Sequence, residues 1–166
     1  ERLSQAERLL EVVLELNTIH TEALLFSALC AARRGADALA LERLSRAHAI
    51  APHNAEVVRD YGAILLRVGQ SAEALTVLQR AERMFAQQDE QGASTSLTRS
   101  SLISAQVKLV AALLMNNRSR ECAQLARRVM KASPNMAPSM HPLHNACKRA
   151  YRDSLDASHI QIDIAL

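Results

Sequence analysis

Residues 54–81 read NAEVVRDYGAILLRVGQSAEALTVLQRA, and this stretch decides the fold. Apolar residues recur at helical spacing both before and after a short polar joint. At the joint, Gly69 can adopt the left-handed conformation that ends a helix. Two residues later, Ser71 suits the start of the next helix. The stretch therefore predicts two antiparallel helices connected by a tight turn.

The same pattern returns when the sequence is shifted by 34 residues. Gly69 then corresponds to Gly35, and Ala74 corresponds to Ala40. Further along, the joint returns after 48 residues at Asn117, and asparagine also tolerates the left-handed conformation. The third repeat therefore carries 14 additional residues before or within its first helix.

The pattern resembles the tetratricopeptide repeat family, whose 34-residue repeat is a helix hairpin with small residues where the helices cross. In one repeat, the small, turn and proline positions of the family are held by Ala28, Gly35, Ala40, Ala47 and Pro52. In the next repeat, the same positions are held by Gly62, Gly69, Ala74, Ala81 and Ala86. The resemblance implies an all-α fold, a right-handed superhelical stack of about seven or eight helices that form antiparallel hairpins (a TPR-like α-solenoid).

The register of the repeats predicts a single domain over residues 1–158. We expect a partial repeat over about 1–20, full repeats over 21–54, 55–88 and 103–136, and a capping helix over about 142–158. The polar stretch 87–101 predicts a surface loop that leads into a helix start, and the proline-rich stretch 133–142 predicts a connector. Isoleucines alternate with other residues over 159–166, and this period of two predicts an extended tail.

Composition disfavours several classes of function. The net charge of +3 is too small to indicate nucleic acid by itself. We identify neither an apolar run that approaches the length of a membrane span nor a signal peptide, and we expect no membrane partner and a cytoplasmic location. Three widely spaced cysteines predict reduced thiols in a compartment of the cytosolic type.

Catalytic and metal-binding patterns are weak in this sequence. No Ser–His–Asp or Cys–His spacing, phosphate loop or carboxylate pair indicates catalysis, so we predict a protein that is not an enzyme and uses no cofactor. His141, His144 and Cys147 are spaced by three and could offer zinc ligands on one helix face. A fourth ligand is not evident, and Pro142 suits the first turn of a helix. We therefore favour a helix cap with exposed histidines and predict no metal site.

The resemblance also implies a function. Members of the family bind protein partners on a concave wall formed by the first helix of each repeat, so we expect a non-catalytic scaffold that binds a peptide or helix, partly apolar and acidic. The family's clamp for a partner's carboxylate is not expected, because leucines occupy its lysine and asparagine positions. Transferred by repeat position, the partner-binding residues are Leu25, Phe26, Leu29, Arg33, Arg59, Asp60, Ala63, Leu66, Arg67, Lys108 and Ala111.

Three alternatives remain at this point. The repeats could pack against copies of the same chain or against flanking domains, and the apolar groove residues could be covered by neighbouring helices. An RNA-binding helical repeat is suggested by basic pairs such as Arg127 and Arg128. Single-stranded nucleic acid is usually held on aromatic platforms, and the chain has only two phenylalanines and two tyrosines, so nucleic acid is disfavoured.

Overall fold

The computed structural model describes residues 2–90, 95–134 and 137–164, with side chains described over 4–90, 95–134 and 140–154. Over these ranges the chain forms eight helices and no strand, which confirms the predicted all-α, TPR-like class. The helices are α1 (Arg2–Leu16), α2 (Thr21–Arg33), α3 (Asp37–Ile50), α4 (Ala55–Arg67), α5 (Ser71–Glu90), α6 (Ser96–Met115), α7 (Ser119–Ala132) and α8 (Ala137–Ile164).

The three predicted joints have the predicted backbone conformation. Gly35, Gly69 and Asn117 adopt φ values of 79°, 84° and 58°, in the left-handed region. Each is followed by a residue whose amide reaches back five positions, as in the bond from Gln70 N to Leu65 O at 2.9 Å. This bond closes the end of a helix and turns the chain back, so α2–α3, α4–α5 and α6–α7 are helix hairpins.

The first helix of each hairpin begins at a side-chain cap. Asn54 Oδ1 accepts hydrogen bonds from the amides of Glu56 and Val57 at 3.0 and 3.3 Å. Thr95 caps α6, and His20 Nδ1 accepts a bond from Ala23 N at 3.2 Å to cap α2. These caps satisfy amides that have no partner within the helix.

The chain packs as two compact units, Glu1–Phe85 and Ala86–Leu166. We refer to them as the N-terminal and C-terminal units. The single repeat domain expected over 1–158 therefore stays a prediction. In the N-terminal unit, buried residues of α2, α3 and α4 form one cluster that includes Leu24, Leu44 and Val57. The small residues predicted at the helix crossings, among them Ala40 and Ala74, are fully buried.

In the C-terminal unit, α6, α7 and α8 pack together, and a disulfide joins Cys122 of α7 to Cys147 of α8. The two Cα atoms are 5.6 Å apart although 25 residues separate them in the sequence. The prediction of reduced thiols is therefore wrong for these two residues, because packing of α7 on α8 brings together cysteines that are distant in the chain. Disulfides are rare in reducing compartments, so the cytoplasmic location stays a prediction. Cys30 is a buried free thiol.

The predicted connector and tail are wrong in the part of the C-terminal region that the structure describes. The helix α8 begins at Ala137, within the segment predicted as a connector, and it contains Pro142. Pro142 is the sixth residue of α8, beyond the first turn in which it was expected, so it removes one hydrogen bond that the helix backbone would otherwise make. The same helix continues to Ile164, so residues 159–164 are helical instead of extended. Ile160 and Ile164 are also four residues apart, a spacing that suits a helix as well as a strand.

Helix α6 begins at Ser96, within the later part of the stretch 87–101, where a helix start was predicted. Residues 87–90 continue α5 instead of forming the predicted loop, and residues 91–94 lie outside the described residues. By length and composition alone α6 could cross a bilayer, contrary to what we expected from the sequence, with a mean hydropathy of 1.2 over its most apolar window. Core helices have the same composition, and α6 buries Val110 and Leu113 while it packs against α7 and α8.

Candidate partner-binding surfaces

An open, mostly apolar groove lies between α1 and α2 in the N-terminal unit. We call it the N-terminal groove; its volume is about 520 Å³. It contains three of the predicted partner-binding residues, Phe26, Leu29 and Arg33, all on α2. Phe26 is 54% exposed, which is high for a large aromatic side chain. The rest of its lining is formed by Ala6, Leu9, Leu10 and Cys30.

The contribution of α1 to this groove was missed by sequence reasoning. Leu9 of α1 is 69% exposed, and Leu10 beside it is half-buried. The transfer from the family considered only the first helix of each repeat, whereas α1 has the register of a second helix. The signal that could have indicated this contribution is the row of apolar residues in α1, which have no preceding helix of the same repeat to pack against among the described residues.

Leu25 does not reach the surface. It is only 5% exposed and packs in the core cluster with Leu24 and Ala28. This corrects its assignment to the exposed wall of a groove, and it agrees with the alternative that neighbouring helices cover some of the predicted residues. The next residue, Phe26, is exposed, because successive residues of a helix project about 100° apart.

Arg59 and Asp60 form an internal pair. Asp60 is 7% exposed and accepts two hydrogen bonds from Arg59, from Nε at 2.8 Å and from Nη2 at 2.9 Å. The Arg59 guanidinium also lies over the Phe85 ring, 5.9 Å from its centre. Burial would lower the pKa of Arg59, but the hydrogen bond and the charge of Asp60 raise it. This arginine is therefore committed to its neighbours.

The other predicted residues of α4 are only partly available. Ala63 and Leu66 are half-buried. Arg67 is exposed, and its Nη2 lies 2.7 Å from Asp37 Oδ1 at the start of α3. Exposed ion pairs of this kind contribute little stability, about 0–1 kcal/mol, so Arg67 could exchange Asp37 for an acidic group of a partner at small cost.

Lys108 and Ala111 lie on α6, in the C-terminal unit. Lys108 Nζ donates a hydrogen bond to Ser104 Oγ at 2.8 Å, and Ala111 is half-buried. Lys108 also lines an open cavity of about 470 Å³ along α6, together with Arg99, Val107 and other residues of the same helix. The predicted residues therefore fall into separate sets in the two units.

A second groove, between α7 and α8, was not predicted. It has a volume of about 730 Å³, and we call it the basic groove. Sequence analysis considered Arg127 and Arg128 only as a basic pair that could suggest nucleic acid. The signal that could have found it is the spacing of Arg120, Arg127 and Arg128, which places all three charges on one side of a helix. It is lined by Arg120, Ala123, Gln124, Arg127, Arg128, Lys148 and Tyr151.

The histidines of α8 do not form a metal site among the described side chains. Cys147 is bonded to Cys122, so its sulfur is not a free thiolate ligand. His141 is exposed as predicted, whereas His144 is only 6% exposed, which corrects the expectation of two exposed histidines. Burial, followed by the charges of Lys148, Arg127 and His141, lowers the pKa of His144. No group of three potential ligands occurs in the described part of the chain.

Comparison with known proteins agrees with this architecture. The tetratricopeptide repeat family model matches residues 38–95. A crystal structure of MamA superposes with a TM-score of 0.65 at 15% identity and covers 97% of this chain and 91% of that one. A second structure of MamA protein gives a TM-score of 0.64 at 16% identity, over 99% and 87% of the two chains. No curated protein sequence matches the chain.

At such low identity, the structural likeness concerns the fold alone. The repeat fold is generally a module for protein–protein interaction, and proteins built from it are generally non-catalytic scaffolds. The family match begins within α3 and covers the α4–α5 hairpin, which carries the predicted turn residue Gly69 and the buried crossing residue Ala74. Residues 38–95 therefore match the tetratricopeptide repeat family, and the described helices have the fold of that family.

Proposed function

We propose that the protein is a non-catalytic scaffold that binds a peptide or helix of another protein in its N-terminal groove. The observation that carries this proposal is the exposure of Phe26 and Leu9 on the two sides of one apolar groove. Large apolar side chains that converge on a groove are the usual anchor points for an amphipathic helix.

The energetics support an apolar partner segment. Complete burial of a Phe or Leu side chain contributes about 1.5–3 kcal/mol. Since Phe26 and Leu9 each retain more than half of their exposure, covering them would contribute about 1–2 kcal/mol apiece. Two such anchors are a plausible basis for specific but reversible binding, because interface energy is concentrated in few residues.

The charge at the rim of the groove supports an acidic group in the partner. Arg33 lies in the groove and has no ion pair with any residue whose side chain is described. By contrast, the adjacent Arg34 is paired with Glu7, with Nη1 3.1 Å from Oε2. A partner helix with an apolar face and a flanking carboxylate would therefore complement the groove.

Selection from a displayed peptide library tests the proposal. Full-length protein is the bait, and recovered peptides are then measured against Phe26→Asp combined with Leu29→Asp. We expect peptides with apolar anchors and an acidic flank, and loss of their binding to the double variant while its helicity is unchanged. Leu97→Asp is the matched control, since Leu97 is 71% exposed on α6. Equal binding to the double variant would reject this groove as the site.

Self-assembly is the second candidate, favoured by the exposed apolar side of α1. Leu16 is 84% exposed, Ile19 just after the helix is 65% exposed, and Val12 is 52% exposed. Such a row could be covered by another copy of the chain. Light scattering separates the candidates: assembly predicts more than one copy, and a loss of that association in Leu16→Asp. A strict monomer at high concentration would reject assembly between copies.

A further inference from the structure

Positive charge is concentrated in α7 and α8 of the C-terminal unit. Residues 119–154 contain seven arginines and lysines but only two acidic residues, whereas the whole chain has a net charge of +3. This segment contains α7 and the described side chains of α8. The modest overall charge therefore hides a strongly basic surface region.

Four of the basic side chains of α7 and α8 line the basic groove. Arg120, Arg127 and Arg128 line it from α7, and Lys148 lines it from α8. The described residues that line the groove include no acidic side chain, and none of the four cations has an ion pair with a side chain in the described ranges. The nearby acid of α7, Glu121, is held by Arg118 through two bonds of 2.7 Å.

The buried His144 is influenced by the same positive charges. It is 6% exposed, and its Nδ1 has no hydrogen-bond partner among the described residues. The pKa of its imidazole is lowered by burial and by the charges of Lys148 and Arg127, the same residues that line the groove. The groove therefore retains a positive field that a bound anion would relieve.

We propose that the basic groove binds an acidic segment of a partner protein. Arg120 and Arg127 are seven residues apart on α7, which corresponds to about 10.5 Å along the helix axis. Carboxylates seven residues apart on a partner helix have the same spacing, so such a helix lying along α7 could meet both arginines. Ala123 and the Tyr151 ring supply apolar contact between the charges.

An acidic peptide fits this groove better than a single-stranded nucleic acid does. Binding of single strands normally combines cations with several aromatic side chains on which successive bases stack. Tyr151 is the one aromatic residue in the lining. The repeat fold is also generally a module for protein–protein interaction. This site is separate from the N-terminal groove and does not depend on its proposed role.

Fluorescence anisotropy with the full chain tests the proposal. The probe is a short labelled helical peptide that carries glutamates seven residues apart. We expect saturable binding that weakens with added salt. Replacing Arg127→Gln and Arg128→Gln together is expected to weaken it about tenfold, since each exposed pair contributes up to about 1 kcal/mol. Arg149→Gln with Arg152→Gln removes the same charge from exposed positions of α8 outside the groove, and we expect less than about twofold loss there.

Three outcomes would overturn the proposal. They are no binding of the peptide, equal losses in the groove and control variants, or tighter binding of a labelled single-stranded RNA that depends on the groove arginines. The last result would instead assign the groove to nucleic acid. The Phe26→Asp variant distinguishes the two sites, because we expect it to bind the acidic probe normally even if the N-terminal groove has no partner.

Discussion

Gly62 lies at a close approach of α4 to α5, and Gly62→Ala tests the repeat geometry directly. A Cβ atom at this position would lie 2.6 Å from Leu78 Cγ and 2.8 Å from Leu78 Cδ2. It would also lie 3.3 Å from Val77 Cγ1. Because the first two distances are shorter than any normal carbon–carbon contact, α5 or the Leu78 side chain would have to move.

Two opposing effects set the magnitude for Gly62→Ala. Alanine is favoured over glycine inside a helix by about 1 kcal/mol. Overpacking of a core costs about 1–3 kcal/mol. Leu78 is fully buried, and its nearest atom is the branched Cγ instead of a free end, so the cost belongs in the upper part of that range. We expect a net loss of about 1–2 kcal/mol in the free energy of unfolding.

Urea denaturation followed by circular dichroism measures this loss, and a double-mutant cycle identifies its cause. In a Leu78→Ala background the clash is relieved, so Gly62→Ala is expected to become neutral or stabilising. The reasoning would be refuted if Gly62→Ala stabilised the unmodified protein, or if its cost were the same in both backgrounds. Either result would mean that Gly62 does not lie at the close crossing of α4 and α5.

Other predictions concern the crossing residue Ala74, the disulfide and the half-buried His48. Ala74→Leu is expected to cost about 1–3 kcal/mol by overpacking, whereas the same change at exposed Ala72 is expected to be nearly neutral in urea denaturation. Reduction of the Cys122–Cys147 bond, which closes a 25-residue separation, is expected to lower stability by about 3 kcal/mol, measured with and without reductant. Burial and the charge of Arg80 lower the pKa of His48 below its ordinary value of 6.5, against the opposing charge of Glu73. The unfolded chain therefore binds the proton at a higher pH than the folded chain does, so stability falls as the pH drops from 6.5 through the lowered pKa. His48→Gln is expected to reduce this fall, which thermal melts at several pH values measure.

The hairpins were predictable because their signals are local. A residue in the left-handed conformation must end each first helix, and Gly35, Gly69 and Asn117 are residue types that adopt it at low cost. The small crossing residues were predictable for a related reason: the repeat brings Ala40 and Ala74 to equivalent positions, and both are fully buried. The periodic pattern thus contains the turns and much of the core.

The C-terminal unit was harder to predict because its contacts are not periodic. The pairing of Cys122 with Cys147 depends on how α8 packs on α7, and α8 has no counterpart in the repeat. Residues 159–164 showed a period of two, yet they continue a helix already begun, which costs less than starting a strand without a neighbour. A short periodic pattern could not decide between these outcomes.

The binding surfaces were predicted only in part. Assigning residues by their position in the repeat identifies the helix face on which they lie, but not the side chains that pack beside them. The register placed Leu25 and Phe26 together on a groove wall, but one is in the core and the other is exposed. It placed Arg59 and Asp60 among the partner-binding residues, although the two side chains bind each other. Competition between neighbouring side chains for burial and for ion pairs requires three-dimensional information.

We expect a partner segment to bind between α1 and α2, and methyl NMR of the full chain can locate it residue by residue. A peptide recovered by selection is titrated into protein labelled at leucine methyl groups. Chemical-shift changes are expected to concentrate at Leu9, Leu10 and Leu29 and to disappear in Phe26→Asp. Changes confined to leucines remote from this groove, such as Leu97 or Leu125, would contradict it.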